Sequence, residues 1–149
     1  NPSLAFWRNR QWQATPFTGS APNRTLLTDS AMTRRELIDY CLTFPAAYED
    51  YPFSETPGLG VWTVMRHRSN KKSFALINER NGRLNANLKC DPLEAILLRR
   101  IFADVTPGYH MNKAHWNTVT LGGDVPDDEV KRLVECSYEL IKPKMGKTQ

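Results

Sequence analysis

Apolar residues first recur at helical spacing just after residue 32. A capping box starts this first predicted helix, because the Thr33 hydroxyl can accept from the third helical N–H while Glu36 reaches back. Pro45 ends it, since proline cannot continue a helix. Its apolar positions share one face, which we expect to be buried: Leu37, Ile38, Cys41 and Leu42.

Three strands are predicted between residues 60 and 89. The segments are Gly60–His67, Lys72–Asn78 and Arg83–Lys89. Asn81-Gly82 separates the last two and favours the positive backbone angles of a tight hairpin turn. In the third segment apolar and polar residues alternate, which is typical of a strand with one buried face.

The second helix begins at Asp91-Pro92, where Asp91 can cap the helix and Pro92 takes the first helical position. Glu94 lies in the first turn, where the helix dipole favours a negative charge. Its predicted buried stripe is Leu93, Ile96, Leu97 and Ile101.

The remaining pattern predicts a loop at Pro107-Gly108, a short extended piece after it, a strand over 116–121 and a last helix from Pro126. The apolar stripe of this helix is Val130, Leu133, Val134, Tyr138 and Ile141. The whole order is therefore α-β-β-β-α-β-β-α. It indicates an α+β domain with an antiparallel sheet and helices packed on one face.

Residues 1–31 lack this periodicity and contain Pro2, Pro16 and Pro22. We interpret them as an N-terminal extension or linker, either foreign to the natural chain or docking on the domain, and assign the domain to 32–149. Four aromatic side chains favour docking, because they are unusual in a linker: Phe6, Trp7, Trp12 and Phe17.

Composition narrows the class of protein. With 149 residues, 40% apolar and 24% charged, the chain is the size of one globular domain. No apolar run approaches the roughly 20 residues that span a bilayer, so we expect a soluble, cytoplasmic protein. Cys41, Cys90 and Cys136 are too widely spaced for a paired zinc site. We expect reduced, buried thiols, with neither metal nor cofactor.

Several segments resemble the signature segments of the MmcQ/YjbR family. They are LKCDP at 88–92, PGYHMNK at 107–113, HWNTV at 115–119 and SYEL at 137–140. Pro52-Phe53 and Phe74-Ala75 also match. The resemblance covers 33–143 and stops at the N-terminal segment.

This resemblance implies the fold order read above, which is like that of type III secretion chaperones. It also implies a DNA-binding role. That role is assigned to the family largely because of its structural likeness to a phage transcription activator. A non-enzymatic protein that binds double-stranded DNA is thus the leading expectation. Since a shared fold does not fix function, the residues must support that role.

Charge gives such support. Residues 66–100 hold nine Lys and Arg against three acidic residues, whereas 32–149 has only 17 basic against 15 acidic. Successive turns of a meander lie at opposite ends of the sheet, so one group of cations should share an end: Arg66, Arg68, Lys71, Lys72 and Lys89. Contacts to phosphates position a protein without reading sequence. We therefore expect weak specificity.

Two other function classes stay open. Tyr109, His110, Lys113, His115 and Trp116 lie within eight residues and could line a pocket of a small-molecule enzyme. However, no nucleophile–base set, HExxH motif or phosphate loop accompanies them. The third class is a chaperone-like interaction module that would pair through a sheet edge or a helix face, to form a homodimer or to hold a peptide.

Overall fold

A computed structural model describes residues 31–144. The described chain contains three helices, α1 (Arg34–Leu42), α2 (Pro92–Ile101) and α3 (Asp127–Ile141). Its six strands are β1 (Ala47–Asp50), β2 (Thr63–His67), β3 (Ser73–Arg80), β4 (Arg83–Lys89), β5 (Val105–Pro107) and β6 (Trp116–Thr120). The predicted N-terminal extension, with its four aromatic residues, lies outside the described residues except for Ala31.

The strands form one sheet in the order β1-β2-β3-β4-β6-β5, and every neighbouring pair is antiparallel. β1 to β4 make a meander in which each strand pairs with the next. The Asn81-Gly82 turn joins β3 and β4, and both of its residues have positive φ (55° and 75°). This turn is the predicted tight hairpin.

All three helices pack on the same face of the sheet. One row of directly paired residues crosses five strands: Glu49, Met65, Ala75, Leu88 and Asn117. At one end of the row Glu49 bonds Arg35 of α1, and at the other Asn117 donates to the Ala95 carbonyl of α2. Helix α3 packs over β3 and β4 between them.

The core lies between this face and the helices. Its largest fully buried apolar side chains include Leu37, Met65, Ile77, Leu98, Val130 and Val134. A register shift between β2 and β3 skips Phe74, a β-bulge that explains how this ring reaches α3. The Phe74 ring lies edge-on to Tyr138 at 5.2 Å, and Phe44 stacks on Tyr138 at 4.8 Å.

The α+β class and the helical faces of α1 and α3 are largely as predicted. All five residues of the α3 stripe are buried, as are Leu37, Ile38 and Cys41 of α1, whereas Leu42 is exposed at the end of that helix. The structure adds β1, which the sequence did not predict. The extended piece near Pro107-Gly108 precedes that turn, as β5, instead of following it.

The predicted stripe of α2 is wrong at two of its four positions. Leu93 is 55% exposed and Ile96 46%, while the buried side chains are Ala95 and Leu98. The reason is that α2 packs mainly against β5 and β6, at one border of the sheet. The small Ala95 lets the helix approach Asn117 closely, which turns Leu93 and Ile96 outward.

Two further expectations concern membranes and thiols. Between residues 31 and 144, no helix has the length and apolar character needed to cross a bilayer. All three cysteines are free; Cys41 and Cys90 are buried, and Cys136 is half-buried.

Candidate nucleic-acid interface

The turn between β2 and β3 carries most of the predicted DNA-binding cations. His67 N–H donates to the Lys72 carbonyl at 3.0 Å, and Lys71 N–H donates to the His67 carbonyl at 2.7 Å. The Asn70 side chain accepts from Lys72 N–H at 3.0 Å. These bonds bring Lys71 to a φ of 61°, a left-handed conformation. The local sequence thus makes a tight, internally bonded turn.

This turn is fixed to the rest of the domain on two sides. Asn70 Nδ2 donates to the Ile141 carbonyl at the end of α3 at 2.9 Å. Arg68 N–H donates to the Ala46 carbonyl beside β1 at 2.8 Å. The buried His67 ring lies 5.8 Å from that of Tyr138. The hairpin tip is therefore fixed to the domain and does not project freely into solvent.

Three cations of the turn remain open to solvent. Arg68, Lys71 and Lys72 are exposed, and none makes an ion pair with another described residue. Arg68 lies over the Tyr48 ring at 5.3 Å, which orients its guanidinium. We call these three residues the basic turn.

Arg66 differs from the basic turn. Its Nε lies 2.7 Å from Asp50 Oδ2, and its Nη1 donates to the Lys71 carbonyl at 3.0 Å. The Asp50 carboxylate compensates its charge. Asp50 belongs to β1, the strand that the sequence did not predict, so this pairing was invisible in the sequence.

Lys89 lies at the same end of the sheet, at the end of β4 and directly opposite Trp116. Its neighbour Leu88 shares a face with Asn117, which bonds α2, so the Lys89 side chain points to the face away from the helices. Lys89 is half-buried. Lys89 is therefore near the basic turn along the sheet, but its side chain lies on the face away from the helices. The two do not form one continuous surface on the helix side.

The structure adds two cations that the sequence did not single out. Lys142 and Lys144 follow Ile141, whose carbonyl accepts from Asn70, so both lie close along the chain to the contact with the basic turn. Lys142 Nζ pairs with Glu139 at 2.8 Å, and Lys144 is exposed. Only the contact between Asn70 and α3 reveals this proximity.

The second predicted cluster does not converge. Lys113 Nζ donates to the carbonyls of Gly108 and Met111 at 3.1 and 3.4 Å, so it braces its own loop. The rings of Tyr109 and His110 are 4.0 Å apart. Tyr109, His110, Lys113 and His115 are exposed, and Trp116 is half-buried, so these side chains line no closed cavity.

Metal and thiol chemistry have no geometric support in the described part of the chain. Within 31–144, no three His, Cys, Asp or Glu side chains are grouped to hold a metal ion. Burial raises the pKa of the Cys41 and Cys90 thiols to about 12. Because the thiolate is the reactive form, these two cysteines are poor nucleophiles.

Comparison with known proteins gives a consistent set of relatives. A family model described as YjbR matches residues 42–140. "Uncharacterized protein YjbR" of Escherichia coli (strain K12) is 36% identical over 108 residues, which cover 72% of this chain and 86% of that protein. "Uncharacterized protein YyaQ" of Bacillus subtilis (strain 168) is 31% identical over 121 residues, covering 74% and 99%.

Solved structures agree with these matches. A crystal structure of a Pseudomonas syringae protein superposes with a TM-score of 0.64 at 32% identity, covering 74% of this chain and all of that one. The Deinococcus radiodurans protein DR2400 superposes with a TM-score of 0.66 at 33% identity, covering 76% and 80%.

Proposed function

The chain belongs to the YjbR family, and from this starting point we propose that its domain is a non-enzymatic protein that binds double-stranded DNA. The three cations of the basic turn would contact the phosphates. One observation carries the proposal: three exposed cations without ion pairs, among the described residues, sit on a turn that is bonded to both α3 and the chain before β1.

Duplex DNA is a suitable partner for such a turn. DNA affinity comes mainly from Lys and Arg that neutralise phosphates, and this contribution does not depend on base sequence. A turn already held by hydrogen bonds loses little conformational entropy on binding. The turn is fixed to the domain on two sides and does not project from it, so its cations would lie against the phosphate backbone and would not read bases in a groove.

Salt dependence of binding to a random-sequence duplex tests this proposal. Three phosphate contacts predict a slope of log K against log salt of about −3. Replacing Arg68 by Gln and Lys71 by Asn should reduce the slope by about 2. Asparagine suits position 71 because it tolerates the positive φ found there.

A matched control removes the same charge elsewhere. Arg100→Gln with Lys131→Gln takes two exposed cations from α2 and α3, away from the basic turn. This variant should leave the slope of the unmodified protein nearly unchanged. Failure to retain duplex even at low salt, or an equal loss in both double variants, would contradict the proposal.

An interaction module is the second candidate, and one observation favours it. Leu93 and Ile96 present an exposed apolar surface on α2, and such surfaces often mark protein contacts. A homodimer through this surface predicts a doubled mass by light scattering that Ile96→Glu converts to a monomer. Duplex binding that is absent while the dimer is present would favour this function over the first.

A further inference from the structure

The sheet face away from the helices carries a ladder of amide and hydroxyl side chains. Thr118 Oγ1 donates to Asn87 Oδ1 at 2.5 Å, and Thr120 Oγ1 donates to Asn85 Oδ1 at 2.6 Å. Asn87 Nδ2 then donates to the Tyr109 carbonyl at 3.0 Å. These polar groups satisfy one another, and they hold the loop after β5 across the sheet so that the Tyr109 ring reaches β3.

Two neighbouring polar side chains on this face have unfilled hydrogen-bonding capacity among the described residues. Arg80 Nε is buried and makes no hydrogen bond, and no described carboxylate lies within ion-pair distance of its guanidinium. Asn78 is only 8% exposed, yet its side-chain amide makes no hydrogen bond with any described residue. Both side chains project from β3 on the same face, two residues apart.

The Arg80 guanidinium is held in a defined orientation. Its guanidinium lies over the Tyr109 ring at 3.9 Å from the centroid, which fixes the plane of the fork. A buried donor without a partner costs about 1–3 kcal/mol. That cost is repaid when a ligand oxygen accepts from the guanidinium, and a planar fork matches two oxygens of a carboxylate or phosphate.

We propose that Arg80, Asn78 and Tyr109 form a binding site for a small oxyanion, a molecule with a carboxylate or phosphate group. Arg80 binds two oxygens of that group, the Asn78 amide donates to the ligand, and Tyr109 holds the guanidinium in place. The site does not depend on DNA binding, because Arg80 lies at the Asn81-Gly82 end of β3. Seven residue steps separate it from Ser73 at the basic-turn end, roughly 23 Å.

NMR titration of the whole chain tests the site. The Arg80 Nε–H resonance is followed while inorganic phosphate or acetate replaces chloride at constant ionic strength. We expect a saturable shift with at least one of the two anions. Phosphate alone indicates a phosphorylated ligand, and acetate alone a carboxylic acid.

Variants separate this site from general charge. Arg80→Lys keeps the charge but loses the fork, and Tyr109→Leu, on an exposed loop, loses the stack; each should weaken anion binding at least about tenfold. Arg83→Lys is the matched control, since Arg83 is the cross-strand neighbour of Arg80 and reaches Asp104 instead. It should leave the affinity unchanged.

The contradicting results are equally specific. Shifts that stay linear with both anions, or an Arg83→Lys variant that loses as much affinity as Arg80→Lys, would overturn the site. Tyr109→Leu gives the decisive result if Arg80→Lys does not fold. A failed anion titration does not affect the DNA proposal, because Arg80 lies outside the basic turn. Whether or not the anion site exists, Arg80→Lys should retain the salt slope of duplex binding.

Discussion

The Ser137 hydroxyl donates a 2.6 Å hydrogen bond to the Phe74 carbonyl of β3. The same oxygen accepts from Lys89 N–H of β4 at 2.9 Å. Ser137 is fully buried. One helix side chain thus completes the backbone hydrogen bonding of two adjacent strands at the bulge, where the regular ladder is interrupted.

Replacing Ser137 by Ala should lower the free energy of unfolding by about 1–3 kcal/mol, because it leaves a buried carbonyl without its partner. Urea unfolding followed by circular dichroism measures the loss. Ser54→Ala, at an exposed turn position, is the control and should change stability by less than about 0.5 kcal/mol. Equal effects of the two changes would show that the Ser137 bridge is not stabilising.

The sequence predicted α3 well because, in a long and strongly amphipathic helix, the spacing of the apolar residues indicates the buried face. It failed on α2, whose apolar residues outnumber those that the sheet can cover. β1 carries Glu49 and Asp50, which pair with Arg35 and Arg66. The sequence did not predict β1 because the strand is polar. It is identified by the residues that it pairs with, and not by alternation of apolar and polar positions.

The candidate sites show the same limit. The chain order was enough to place Arg68, Lys71 and Lys72 on one turn. It could not show that Asp50 compensates Arg66, or that Asn70 joins the turn to α3. Arg80 and Asn78 were absent from the prediction, because an unpartnered group is visible only once its surroundings are known.

Removing the Asn70 amide should weaken DNA binding without changing charge. Asn70→Ala loses the bond to the Ile141 carbonyl, so the basic turn becomes mobile and must be ordered on binding. We expect a several-fold weaker affinity with an unchanged salt slope, measured by filter binding. Ser54→Ala, at an exposed turn position outside the basic turn, is the control and should leave the affinity unchanged. A changed slope would mean that Asn70 contacts the duplex directly.

Glu49 should make stability depend on pH in the acid range. The hydrogen bond from Arg35, then that from Tyr51, holds the pKa of Glu49 below its ordinary value of 4.5. The unfolded chain therefore takes up this proton at a higher pH than the folded one. Stability is present above pH 4.5 and is lost as the pH falls through the folded pKa.

The corresponding variant is Glu49→Gln. Its unfolding free energy should fall less between neutral and acid pH than that of the unmodified chain, by under about 1 kcal/mol, because Arg35 is largely exposed. Glu55→Gln, at an exposed position without a described ion pair, should retain the full dependence. Identical pH profiles for all three proteins would contradict the assignment to Glu49.

The three thiols should differ in their reaction with iodoacetamide. At about pH 8 a thiol with a pKa near 12 has roughly a thousandfold less thiolate than one at the ordinary 9.0. Cys41 and Cys90 should thus react only through opening of the domain, and the half-buried Cys136 first. Peptide mass spectrometry over time follows each site. Rapid native labelling of Cys41 would contradict its burial.

The outer strands of the sheet limit how chains can associate. β1 has four residues and β5 has three, the last of which is Pro107. A strand added to either border would gain few hydrogen bonds, and proline lacks the N–H that such pairing needs. The fold therefore resists growth into extended aggregates by strand addition. Among the described residues, the exposed apolar surface of Leu93 and Ile96 is better suited to self-association than either sheet border.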